Sequence, residues 1–147
     1  MARSPLVTLP TDQALALVQQ LIKSGVMIRA AFWSWASVDA DARLVIVSPL
    51  VDTDGSLKTY RRVRALLDQR PDVHLTLSDM NLVGEGDLIY RHIRMLAQPQ
   101  PVPHTIGFSL ASSSAYAPYI PEDASSVTIH LFYWQPADAA EGASSPP

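Results

Sequence analysis

Two acidic residues directly follow the most apolar stretch of this chain. Asp52 and Asp54 come after Leu44 to Leu50, a run rich in Val and Ile that is typical of a strand buried on both faces. Open α/β sheets usually hold ligands at the carboxyl ends of such strands. Asp79 ends the next predicted strand in the same way, and Glu85 follows it closely. If the strand ends converge, these carboxylates provide the oxygen ligands that Mg²⁺ prefers, so the acidic turn is a candidate catalytic and metal site of a phosphohydrolase or nuclease.

The acidic turn also resembles a motif of a known enzyme family. Residues 52–57, DTDGSL, are similar to the first motif, D-x-D-G-[TS]-L, of the haloacid dehalogenase-like phosphohydrolases. The resemblance implies Mg²⁺-assisted phosphoryl transfer, with Asp52 as nucleophile and Asp54 as acid and base. It further implies that Ser78 is the phosphate-binding hydroxyl and that residues 84–87, GEGD, are the late acidic motif.

The same turn has a purely structural interpretation. Asp54 or Ser56 can cap the helix that follows, with Gly55 between them in an unusual backbone conformation. Acids in surface turns are commonly of this kind, so the enzyme and the capped turn stand as alternatives.

A wider stretch resembles small uncharacterised bacterial proteins. The shared features are AAFW, then SPLVD, then a helix with Tyr-Arg-Arg, and they cover Ala30 to Leu67. The resemblance implies this order of strand, turn and helix but no particular activity.

The helix after the acidic turn carries basic side chains. Lys58, Arg61 and Arg62 lie opposite its apolar residues and are a possible contact for phosphate or an acidic partner. The alternative is an ordinary solvated helix face, which the net charge of −3 favours. The histidines lack the short spacings of a zinc site; they are His74, His92, His104 and His130.

Composition narrows the possible functions. At 147 residues and 48% apolar content, the chain is the size of one domain with one core. The absence of Cys excludes disulfides, thiolate catalysis and Cys-ligated zinc or iron–sulfur clusters. The acidic net charge argues against nucleic acid as a partner. No apolar run reaches the roughly 18 residues of a membrane span, so we expect a cytoplasmic protein.

Hydrophobic periodicity predicts the elements that position these residues. Their order, α-β-β-α-β-α-β-β, indicates a single α/β domain, with α+β as the alternative, built on a mixed five-stranded sheet with three helices. We expect an arm over residues 1–10, the domain over 11–135, a disordered acidic tail over 136–147 and a long loop from Ala111 to Ser126, which is either a lid or a mobile segment. The predicted helices begin with the N-cap Thr11, at Leu57 and at Leu88, and the predicted strands are Val26–Ser37, Arg43–Pro49, Val73–Leu77, Thr105–Leu110 and Val127–Trp134.

Aromatic residues on two of the strands suggest an interface. Trp33, Trp35, Phe132 and Trp134 lie at alternate positions, and three helices cannot easily cover both faces of five strands. These four residues are therefore a candidate self-association surface, with burial in the core as the alternative. Because no complete catalytic set accompanies them, we expect an interaction module that binds a second copy, as a homodimer, or another protein. No cofactor is expected unless the Mg²⁺ enzyme interpretation holds.

Overall fold

The computed structural model describes residues 10–36, 42–96, 102–109 and 125–135. Within them the chain forms one five-stranded mixed sheet with the spatial order β3-β2-β1-β5-β4. Only β2 and β3 run parallel; the other three strand pairs are antiparallel. The predicted α/β class and the mixed sheet are confirmed. The elements are α1 (Thr11–Lys23), β1 (Ala30–Ala36), β2 (Arg43–Val47), α2 (Pro49–Asp54), α3 (Ser56–Asp68), a 3₁₀ turn (Leu77–Asp79), β3 (Met80–Val83), α4 (Leu88–Leu96), β4 (His104–Ser109) and β5 (Ser126–Trp134).

The helices divide unequally between the two faces of the sheet. Helices α1 and α3 pack on one face, here called the α1/α3 face, where Ala31, Trp33 and Ile46 belong to the core. Helix α4 packs alone on the other, the α4 face, against residues such as Phe32 and Val45. Strand alternation explains the division, because successive side chains of β1 and β2 point to opposite faces and both sets are apolar.

The last strand departs from simple alternation. Ala31 pairs with Tyr133 but Phe32 pairs with Leu131, so Phe132 is the extra residue of a β-bulge. Phe132 and Tyr133 consequently both pack on the α1/α3 face. The predicted grouping of Phe132 with Trp134 on one face was wrong, because Trp134 lies on the α4 face.

The third predicted strand was also misplaced. Val73 and Leu75 are buried at alternate positions, which imitates a strand, but they lie in irregular chain. The backbone of this segment bonds to a helix side chain instead of a strand, since the His74 amide donates a 2.8 Å hydrogen bond to Gln13 Oε1 of α1. The true strand starts at Met80, after the 3₁₀ turn, and pairs with β2 from Leu44 onward.

The chain becomes helical before the predicted helix start at Leu57, because the short helix α2 already begins at Pro49. Strand β2 ends at Val47, and Ser48 caps α2 by accepting a 3.2 Å hydrogen bond from the Leu50 amide, with Pro49 in the first turn. Gly55 then separates α2 from α3 at φ 89°, which confirms its unusual conformation. At the start of α3, Leu57 is 63% exposed, whereas Thr59 is buried.

Several sequence-based expectations lie outside the described residues. These are most of the arm over residues 1–10, almost all of the loop over 111–126 and the tail over 136–147.

Candidate functional site

Asp52 lies at the carboxyl edge of β2 and β3, as predicted, and its carboxylate makes a hydrogen bond that connects two segments of the fold. Asp52 lies in α2, and its Oδ2 accepts a 2.9 Å hydrogen bond from the Glu85 amide. Glu85 in turn accepts a 2.9 Å ion-paired hydrogen bond from Arg29 Nε, and Arg29 is mostly buried. Asp54 is exposed at the end of α2 and α3 has no side-chain cap, so the predicted helix cap at Asp54 or Ser56 was wrong. The Asp52 carboxylate ties α2 to the turn after β3.

Asp79 lies at the opposite end of β3 from this turn. The parallel register pairs Leu44 with Met80 and Val47 with Val83, so Asp79 precedes the strand whereas Glu85 follows it. Four residues of strand separate the two ends by ~10 Å. Asp79 Oδ2 accepts instead from Thr76 Oγ1 at 2.9 Å. The strand ends therefore do not bring Asp79 to Asp52 and Asp54, because β3 starts later in the chain than the predicted strand.

No metal-ligand group is apparent in the described parts of the chain. Among these residues there is no cluster of three or more His, Asp or Glu side chains that could hold a metal ion. Asp52, a metal ligand in the Mg²⁺ interpretation, accepts the hydrogen bond of the Glu85 amide through Oδ2.

The close approach of Asp52 to Gly84 gives a first prediction. A Cβ atom at Gly84 would overlap the exposed Asp52 carboxylate and force it away from the Glu85 amide, so Gly84→Ala should lower the free energy of unfolding by about 1 kcal/mol. In an Asp52→Ala background the same change should have almost no effect, because the obstructing carboxylate is absent. Urea denaturation of the four proteins of this double-mutant cycle measures the coupling. Equal losses in both backgrounds would contradict the assigned contact.

The predicted basic face is on the surface of α3. Lys58, Arg61 and Arg62 are all exposed, and Arg62 Nη2 donates a 3.3 Å hydrogen bond to the Ser24 carbonyl at the end of α1. This bond ties the middle of α3 to the end of α1, so Arg62 has a structural contact in addition to its charge.

Two of the four aromatic residues of the predicted interface belong to the core. Trp33 is 2% exposed and Phe132 is 6% exposed, so both residues follow the alternative interpretation, burial in the core. Trp33 Nε1 donates a 3.2 Å hydrogen bond to Thr11 Oγ1, so Thr11 anchors the indole. The predicted N-cap role of Thr11 was wrong, since α1 starts at this residue and its hydroxyl makes no cap bond. Trp134 is half-buried and packs beside Tyr90, with ring centroids 5.5 Å apart.

Trp35 is the aromatic residue that lies on an open part of the sheet. It is half-buried at the end of β1, where Thr128 is its partner on β5 and Gly107 is the partner of Thr128 on β4. Next to this row, Trp33 pairs with His130, which pairs with Thr105. No described helix packs over the β4 side of this face. We call it the open sheet face, defined by Trp35, Thr105, Gly107, Thr128 and His130.

The open sheet face is uncharged near neutral pH. Its only titratable member is His130, whose pKa is lowered from the ordinary value by burial. The ring Nδ1 lies 3.1 Å from Thr105 Oγ1, and the other ladder neighbour of His130 is Trp33. Desolvation disfavours the imidazolium form, so the ring is neutral at pH 7.

Sequence reasoning found only Trp35 of this surface. The four other residues are small or polar and lie at alternate positions of β4 and β5, opposite apolar residues such as Ile106 and Ile129. Alternation of this type is typical of a sheet with one exposed face, and it is the signal that could have identified them.

Within the described residues, no helix is long and apolar enough to cross a membrane. Comparison of the chain with protein-family models, curated proteins and solved structures found no match.

Proposed function

We propose that this chain is a self-associating interaction module whose two copies meet through the open sheet face. The observation that carries the proposal is the position of Trp35, an aromatic residue that is only partly buried on an uncharged surface of three strands. Large aromatic side chains are enriched at protein interfaces, and charged residues are depleted from the interface core.

The surface chemistry suits a second copy of the chain as the partner. In a two-fold dimer each residue of the face meets the same set of residues, so a charged face would repel itself. The open sheet face has no Lys, Arg, Asp or Glu among its five residues, and its histidine is neutral. Thr105 and Gly107 on the edge strand are exposed and small, which leaves room for the Trp35 indole of the partner.

The state of His130 gives the proposal a pH dependence. Burial lowers its pKa, and a dimer interface would lower it further, so the dissociated chain binds more protons than the dimer. Association should therefore be strongest above the ordinary histidine pKa of about 6.5 and should weaken as the pH falls to about 5. Sedimentation velocity at micromolar concentration should show a dimer at neutral pH and a growing monomer fraction in acid.

A matched variant isolates the histidine. His130→Asn keeps a side chain that can bond Thr105 but does not titrate, so its dimer should persist in acid. A wild-type chain that is monomeric at neutral pH would refute self-association. A wild-type dimer with the same acid response as the Asn variant would instead remove His130 from the interface.

A further inference from the structure

A groove of about 300 Å³ lies along α4, on the side of the sheet opposite the open sheet face. Arg91, Arg94 and Met95 line it. Met95 is 79% exposed, and Leu88, also exposed, is seven residues before it on the same side of the helix. This surface of α4, defined by Leu88, Arg91, Arg94 and Met95, therefore combines apolar and basic side chains, and we call it the α4 groove.

Arg94 of the α4 groove packs on a buried aromatic ring. The Arg94 guanidinium lies over the ring of Tyr90, 5.7 Å from the centroid. Tyr90 is fully buried and its ring packs beside Trp134. The hydroxyl of Tyr90 is close enough to Arg94 that this cation partly offsets the rise in its pKa caused by burial. A guanidinium resting on a fixed ring loses less conformational entropy when it binds a ligand than one on a free side chain.

We infer that the α4 groove binds an acidic peptide segment that carries an apolar side chain, supplied by another protein. Arg91 and Arg94 are matched by carboxylates, because guanidinium groups bind carboxylates with paired hydrogen bonds. Met95 and Leu88 give the apolar part of the contact, since the flexible thioether of methionine adapts to varied side chains. From Leu88 to Met95 the helix extends ~10 Å, the length of a short peptide segment.

The charge distribution favours a peptide over a nucleic acid. The chain carries a net charge of −3, so a long polyanion would be repelled by most of the surface. A short acidic segment meets only the local pair of arginines. The apolar members of the groove would have no contact to make with a phosphate backbone.

The binding experiment uses synthetic probes and fluorescence anisotropy. A labelled twelve-residue peptide of Glu and Leu at helical spacing should bind the wild-type chain, and a peptide with Gln in place of Glu should bind at least about tenfold more weakly. The double variant Arg91→Glu, Arg94→Glu should lose binding by a similar factor. Met95→Ala should weaken binding severalfold if the apolar contact exists.

A control with the same charge change is available on α3. Lys58→Glu with Arg61→Glu alters the net charge equally on an exposed helix face and should leave peptide binding intact. If both double variants lost peptide binding equally, the net charge of the chain would explain the loss, and the inference would be overturned. Equal binding of the Gln peptide, or binding of a heparin fragment through Arg91 and Arg94 without binding of the acidic peptide, would also overturn it.

The outcome does not depend on the proposed dimer. Sedimentation of the Arg91→Glu, Arg94→Glu variant should show the same association as wild type, because the α4 groove and the open sheet face lie on opposite sides of the sheet. Circular dichroism melting of the variant confirms that the fold is retained.

Discussion

Replacement of Trp33 by alanine should lower the free energy of unfolding by about 3–5 kcal/mol. The indole is 2% exposed within the α1/α3 core, so its removal leaves a cavity and also deletes the hydrogen bond to Thr11. A loss of this size is a large fraction of the stability of a single domain. Urea denaturation followed by circular dichroism measures the change.

The same substitution at Trp35 is the matched comparison. Trp35 is two residues further along β1 on the same face, but it is only partly buried. Trp35→Ala should lower stability much less than Trp33→Ala and should weaken dimerisation, which sedimentation velocity detects. A Trp33→Ala protein as stable as wild type would contradict its place in the core. A Trp35→Ala protein with unchanged association would contradict the interface.

A charge at Gly107 should abolish the dimer. Gly107 lies on the edge strand of the open sheet face, beside Thr128, and a Cβ atom added there meets no atom within 4 Å, so the monomer tolerates a side chain. In a two-fold dimer, Gly107→Glu would bury two carboxylates without partners. We expect the dissociation constant to rise at least about 100-fold, which corresponds to about 2.7 kcal/mol.

Gly86→Glu provides the control for this variant. Gly86 is exposed in the turn after β3, and a Cβ atom there also meets nothing within 4 Å. The two variants have the same composition and charge, so they should differ in sedimentation only if the open sheet face is the interface. Dimerisation of Gly107→Glu at wild-type strength would remove this face from consideration.

Strong hydrophobic patterns made most of the fold predictable. Helix α4 (Leu88–Leu96) starts at the predicted residue, Leu88, because apolar residues recur at helical spacing from there. Strands β1 and β2 follow from apolar runs that fit a strand covered on both faces. The third strand was missed because Val73 and Leu75 bury alternate side chains in the absence of a ladder, and only the Gln13 contact from a distant helix distinguishes the two cases.

The sites were less predictable than the fold. Whether Asp79 lies near Asp52 depends on which end of β3 carries Asp79. Because the strand starts a few residues later than predicted, Asp79 precedes it and lies at the end away from Asp52. The aromatic pattern identified the right strands, but burial separated Trp33 from Trp35 because α1 covers only the first of them fully. Periodicity gives the face of a residue, whereas the extent of a covering helix depends on tertiary packing. The bulge at Phe132 was hidden for the same reason, since nothing local in the sequence marks the extra residue.

A nuclear magnetic resonance dilution series of the wild-type chain shows directly where the two copies meet. Amide signals that shift between dilute and concentrated wild-type samples at neutral pH should belong to the open sheet face, including Trp35, Gly107, Thr128 and His130. The amides of Arg91, Arg94 and Met95 on the other side of the sheet should not shift. Spectra that do not change with concentration, or shifts centred on α4, would contradict self-association through the open sheet face.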